Sequence, residues 1–225
     1  MKRGGLGRAL YYFTRLAQIY AAGIFLGSFA LAFYYWFVGG NSGMGFEDII
    51  ELTPAMLVWI TLLVLMSSSL GTTQRLFSML ISFGCRRKDA FLGKLVMNLQ
   101  IMVESLVLFA VLTHYFDWDG RTFLLILVII LYLVSEGGAQ LIGIAASKWG
   151  KIAYMFAVML CTVFIVGVVL TNVLVTNHSL NSWWRMAQET AKPVWQCFAI
   201  VAAGMFYMMS NIVAYCSLRK YEVKN

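Results

Sequence analysis

Thr122-Phe-Leu-Leu-Ile-Leu-Val-Ile-Ile-Leu-Tyr-Leu-Val-Ser-Glu136-Gly-Gly-Ala-Gln140-Leu-Ile-Gly-Ile-Ala-Ala-Ser147 carries one charged residue in 26 positions. Wound as a helix at ~1.5 Å per residue, it is longer than the ~30 Å hydrocarbon thickness of a bilayer. An uncharged run of this length predicts a membrane span rather than the core helix of a soluble domain.

Outward from this stretch the pattern repeats. Charge-free runs cover 16–46, 52–74, 152–184 and 193–218, and 95–116 is interrupted only by Glu104. Each supplies the ~20 residues that one crossing needs. The expectation is an all-α integral membrane protein, one transmembrane domain over 1–225, with six spans at about 17–38, 53–72, 94–116, 122–147, 152–175 and 194–217. Composition agrees, with 61% hydrophobic and 12% charged residues, where a soluble domain carries about 25% charged. The mean hydropathy is +0.78. The first run starts after Arg15, is too long for a signal-peptide core and is followed by five more, so it reads as a permanent helix.

Lysine and arginine in short loops set orientation. Of the 17 in the chain, only Arg121, Arg185 and Lys192 fall on one side of the expected membrane. The rest, including Arg8, Arg75, Arg86, Lys88, Lys94, Lys148 and Arg219, fall on the other, which is therefore the cytoplasmic side and holds both termini. A basic cytoplasmic face beside anionic lipid accounts for the net charge of +7 without a nucleic-acid partner.

Before the first span, Leu6, Leu10, Phe13 and Ala17 share a helical face opposite Arg8 and Arg15. They predict either an amphipathic interfacial helix or a basic start to the first span. Trp183, Trp184 and Arg185 place the largest outer connection at headgroup level. Asn177-His178-Ser179 forms a sequon by chance composition. Cys85, Cys161, Cys197 and Cys216 lack CxxC spacing and are expected to be reduced packing residues.

The inner connection 71–93 departs most from a plain loop. From Arg75 to Phe83 it has helical propensity, and it stops at Gly84 before Arg86, Arg87 and Lys88, as a helix with a glycine C-cap would. Leu76, Phe77, Met79, Leu80, Ile81 and Phe83 are apolar where the chain should meet water. Such a surface either lies in the membrane interface or docks on a protein.

The stretch Thr73-Gln-Arg-Leu-Phe-Ser-Met-Leu-Ile-Ser-Phe-Gly-Cys-Arg-Arg-Lys-Asp-Ala-Phe-Leu-Gly93 resembles the loop of bacterial ABC-transporter permeases of the type-2 export class, in which a short helix ends in a glycine and a basic pair before the third span. The segment LIGIAASKWG at 141–150 and the basic tail LRKYEV at 218–223 are similar to that family too. The resemblance implies that Leu76, Phe77, Met79, Leu80, Ile81, Phe83 and Gly84 form a coupling helix docking on a separate cytoplasmic ABC ATPase. It also implies an amphipathic helix at 6–17, a re-entrant outer segment at 177–193, a second permease subunit, and a location in the bacterial plasma membrane.

The chain lacks a GxxxxGK[ST] loop, so ATP and magnesium are expected on the partner and no cofactor on this chain. HExxH and the GxSxG nucleophile elbow are missing, and Ser67-Ser68-Ser69 lacks an evident base, so no catalytic residue and no enzyme activity are expected. His114 near Asp117 and Asp119 is read as solvated rather than as a metal site.

Glu104 and Glu136 are the ionisable residues deep within spans, at similar depths, where neighbouring helices could bring them together. Gln100 precedes Glu104 by four residues and Gln140 follows Glu136 by four, so each helix presents a Gln and a Glu on one face. Interhelical hydrogen bonding is the simplest use, with a substrate or proton role as the alternative. The expected function is the permease subunit of an ATP-driven exporter of an amphipathic or hydrophobic substrate, such as a peptide, drug or lipid. The alternative is a secondary transporter or channel working through Glu104 and Glu136.

Overall fold

A computed structural model describes residues 5–38, 46–71, 86–115, 121–149 and 193–220. These form five α-helices: α1 (Gly5–Val38), α2 (Phe46–Gly71), α3 (Arg87–Tyr115), α4 (Arg121–Trp149) and α5 (Pro193–Lys220). The fold is all-helical among the described residues, and α1, α3, α4 and α5 are each long and apolar enough to cross a membrane. The apolar part of α2, Thr53–Ser69, is shorter. The expected span at 152–175 and the apolar connection at 76–83 lie outside the described residues.

Each helix continues past its apolar run. α3 begins seven residues before the expected 94, because the Arg86 carbonyl accepts from the Asp89 and Ala90 N–H groups at 3.0 Å and starts the helix there. Asp89, in the first turn, meets the positive end of the helix dipole. In α2, Glu47, Asp48 and Glu51 precede Pro54, after which the helix turns apolar.

The stretch 6–17 is the start of α1 rather than a helix of its own. Its buried line is Ala9, Phe13 and Ala17, while Leu6 is exposed and Leu10 half-buried, so the expected apolar face is turned by part of a helical step. Gly93 is the reason: a Cβ there would run into the Phe13 ring, so only glycine lets the aromatic seat against α3. On the outer side of α1, Arg15 lies over the Tyr11 ring at 4.8 Å.

Paired residues fix the directions. Thr61 faces Ser105 and Ser68 faces Asn98, so α2 and α3 are antiparallel. Gln140 meets Asn211, while a Cβ on Gly137 would meet Phe206 and Ser210, so α4 and α5 run parallel. The chain thus leaves α4 at one face of the bundle and enters α5 at the opposite face. Phe13 sits beside Gly93 and Gly27 beside Ile60, which sets α1 along α3 and against α2. The core runs through Leu57, Leu62, Leu65, Met97, Ile101 and Tyr132.

Candidate functional site

Glu136 is fully buried between α2, α3, α4 and α5. Its Oε1 accepts from Asn98 Nδ2 at 2.6 Å, Gln140 Nε2 at 2.7 Å and, more loosely, Ser69 Oγ at 3.4 Å. Asn98 Nδ2 also donates to Ser69 Oγ at 3.3 Å, and Ser68 Oγ donates to Asn98 Oδ1 at 3.2 Å. Gln140 carries the network onward through Nε2 to Asn211 Oδ1 at 3.0 Å. One carboxylate thereby joins four helices in a setting without bulk water, where lost partners are hard to replace.

Three buried atoms of this cluster have no hydrogen-bond partner: Glu136 Oε2, Gln140 Oε1 and Tyr207 Oη. Tyr207 lies close to Glu136 and Asn211, but its hydroxyl falls outside hydrogen-bonding geometry. Lys94, one turn before Asn98 and only 2% exposed, lies within electrostatic reach of Glu136. Lys94 is thus a buried member of α3 and not the solvent-side residue expected at a span boundary. The cluster combines a carboxyl oxygen held by three donors with a second oxygen that is buried and unpartnered, and Lys94 nearby. Such a constellation can hold a proton.

A second polar layer lies about two turns further along α2 and α3. Thr61 Oγ1 and Ser105 Oγ are 2.8 Å apart, as are Ser105 Oγ and Tyr132 Oη. These hydroxyls satisfy one another across three helices.

The expected Gln–Glu spacing is realised on both helices, with Gln100 Nε2 donating to Glu104 Oε1 at 2.7 Å. The two carboxylates use different faces. Glu104 is half-buried and bonded along α3, whereas Asn98, the α3 residue that reaches Glu136, lies six positions earlier and about 240° around the helix.

Ser69 does have a carboxylate neighbour that its sequence context concealed. Because Glu136 Oε1 is shared with two amides in a closed interior, that contact is structural in form. His114 is exposed in the last turn of α3, and Asp117 and Asp119 lie outside the described residues. Among the described residues, no three His, Cys, Asp or Glu side chains converge as a metal site would need. Cys197 and Cys216 are free and exposed on α5, in place of the expected packing role.

Sequence reasoning missed Ser69, Lys94, Asn98, Tyr207 and Asn211. A usable signal existed: Lys94 and Asn98, Glu136 and Gln140, and Tyr207 and Asn211 are each polar pairs four residues apart within apolar runs. No protein-family model, curated protein or solved structure matches this chain.

Proposed function

We propose that this chain is the permease subunit of an ATP-driven ABC exporter, crossing the bacterial plasma membrane six times with both termini in the cytoplasm. The observation that carries the reading is the connection between α2 and α3. Its apolar run from Leu76 to Phe83, closed by Gly84 and the basic Arg86, Arg87 and Lys88, resembles a coupling helix. That segment docks on a separate ATPase, which binds ATP and magnesium, while a second permease subunit completes the pathway. Six crossings are consistent with the parallel course of α4 and α5, which need an odd number of passages between them to preserve an even total. The basic residues near the starts of α1 and α3 support a cytoplasmic position for that face. Amphipathic or hydrophobic cargo suits a pathway bounded by such apolar helices.

Purifying the tagged chain from its native membranes tests this reading. A cytoplasmic ATPase with a phosphate-binding loop should accompany it in near-equal amount, and its absence from chemically cross-linked membranes would overturn the proposal.

A second reading, proton-coupled or ion-coupled transport without an ATPase, is favoured by one feature: the unpartnered Oε2 of fully buried Glu136. Under that reading Glu136→Gln abolishes transport while leaving expression and assembly normal. Under the exporter reading it leaves transport largely intact.

A further inference from the structure

Between α3 and α5 lies a groove of about 650 Å³, within the ~300–1,000 Å³ typical of small-ligand sites. One wall is Leu92, Leu95 and Leu99, which follow Lys88 at spacings that keep all four on one helical face. The other includes Tyr207 and Tyr215. Phe91 and Tyr215 approach with ring centroids 5.6 Å apart near the Lys88 end, and Tyr207, eight residues before Tyr215, lies ~12 Å deeper.

The dimensions point to a particular occupant. Lys88 to Leu99 spans ~16 Å along α3, and one leaflet contributes half of the ~30 Å hydrocarbon thickness. With Lys88 at the headgroup boundary, a groove of this length reaches about the bilayer midplane. Its charge is equally specific, because Lys88 is the one ionised side chain among its described lining residues, and it is exposed at the groove mouth.

We propose that this groove binds a phospholipid of anionic headgroup, with one acyl chain along Leu92, Leu95 and Leu99 and the phosphate at Lys88. The ammonium supplies donors and charge at the headgroup depth, while the walls are mostly apolar, with Asn211 and the Tyr207 and Tyr215 hydroxyls as their polar groups. Basic side chains at membrane-facing helix clefts select acidic lipids in this manner. A zwitterionic lipid would bring its own cation towards Lys88, and a helix of a second copy would need an acid facing it. The site stands independently of the exporter reading.

Native mass spectrometry of the protein released from nanodiscs tests the assignment, using equal amounts of phosphatidylglycerol and phosphatidylcholine with identical chains. Phosphatidylglycerol should be retained preferentially by the wild-type chain. Lys88→Gln should lower that preference roughly fivefold, the effect of one basic residue at an anionic membrane surface. Leu95→Trp, which fills the groove, should remove the retained lipid, whereas Val103→Trp, at an exposed position of α3 outside it, should not. Equal retention of the two lipids by the wild-type chain would overturn the proposal. So would an undiminished preference in Lys88→Gln, a variant whose exposed side chain leaves folding unaffected even if Leu95→Trp fails to fold.

Discussion

Glu136 accepts three hydrogen bonds on one oxygen and none on the other. Glutamine at this position keeps an acceptor for Asn98 and Gln140 and turns an amide towards the side where Oε2 is unpartnered. Leucine removes the acceptor, leaving Gln140 Nε2 only Asn211 and Asn98 Nδ2 only the longer bond to Ser69. Interhelical hydrogen bonds in membranes are worth about 0.6 kcal/mol each on average, and an unsatisfied buried partner costs about 1–3 kcal/mol. Glu136→Gln, which keeps the acceptor but removes the charge beside buried Lys94, should therefore cost less than Glu136→Leu, which should cost about 2–4 kcal/mol, read as unfolding free energy in mixed micelles. Equal losses would mean that the carboxylate is not the network's centre. The Glu–Gln pairs were legible because helical periodicity alone places residues four apart on one face. That Glu136 joins Asn98 and Ser69 while Glu104 turns elsewhere was not legible, because it depends on how α2, α3 and α4 are rotated against one another.

α1 and α3 meet where Phe13 lies over Gly93, a contact that no charge or hydropathy pattern announces. Small residues allow close helix approach in membranes, and here one glycine sets which face of α1 is buried. Gly93→Ala would push a methyl group into a fully buried ring, an overpacking cost of about 1–3 kcal/mol. The double variant Gly93→Ala, Phe13→Leu should recover part of that loss because the shorter side chain makes room. A thermal-shift series on the two single variants and the double variant measures this coupling, and strict additivity would show that the two side chains do not compete. The apolar runs gave the existence of α1, α3, α4 and α5, since bilayer thickness demands uncharged length. Their ends were less visible because polar residues such as Arg87, Asp89 and Lys94 continue the helix of α3 beyond its apolar run.

At the scale of the whole molecule, charge asymmetry and helix direction concern the same question. The parallel α4 and α5 place the entry to α5 opposite the exit from α4, and the basic residues of α1 and α3 gather at one end. Reporter enzymes fused after Lys88 and at the C-terminus should be active only on the cytoplasmic side, and those near Asp48, Asp119 and Asn181 only on the outside. An external Lys88 reporter would overturn this orientation. The function was far less legible than the span pattern, because membrane solvation dictates composition everywhere and leaves few side chains free to encode a cargo or a partner. The connection at 76–83 is the exception, since its apolarity is not needed for crossing. If it docks on an ATPase, an aspartate there must be desolvated without a counter-charge, at a cost of several kcal/mol and hence more than about a hundredfold in affinity. The most direct measurement is quantitative capture of the ATPase by the tagged wild-type chain, Phe77→Asp and Leu80→Asp, each verified as membrane-inserted. The exporter reading predicts stoichiometric capture by the wild-type chain and near-complete loss with either aspartate; undiminished capture by both variants would contradict it.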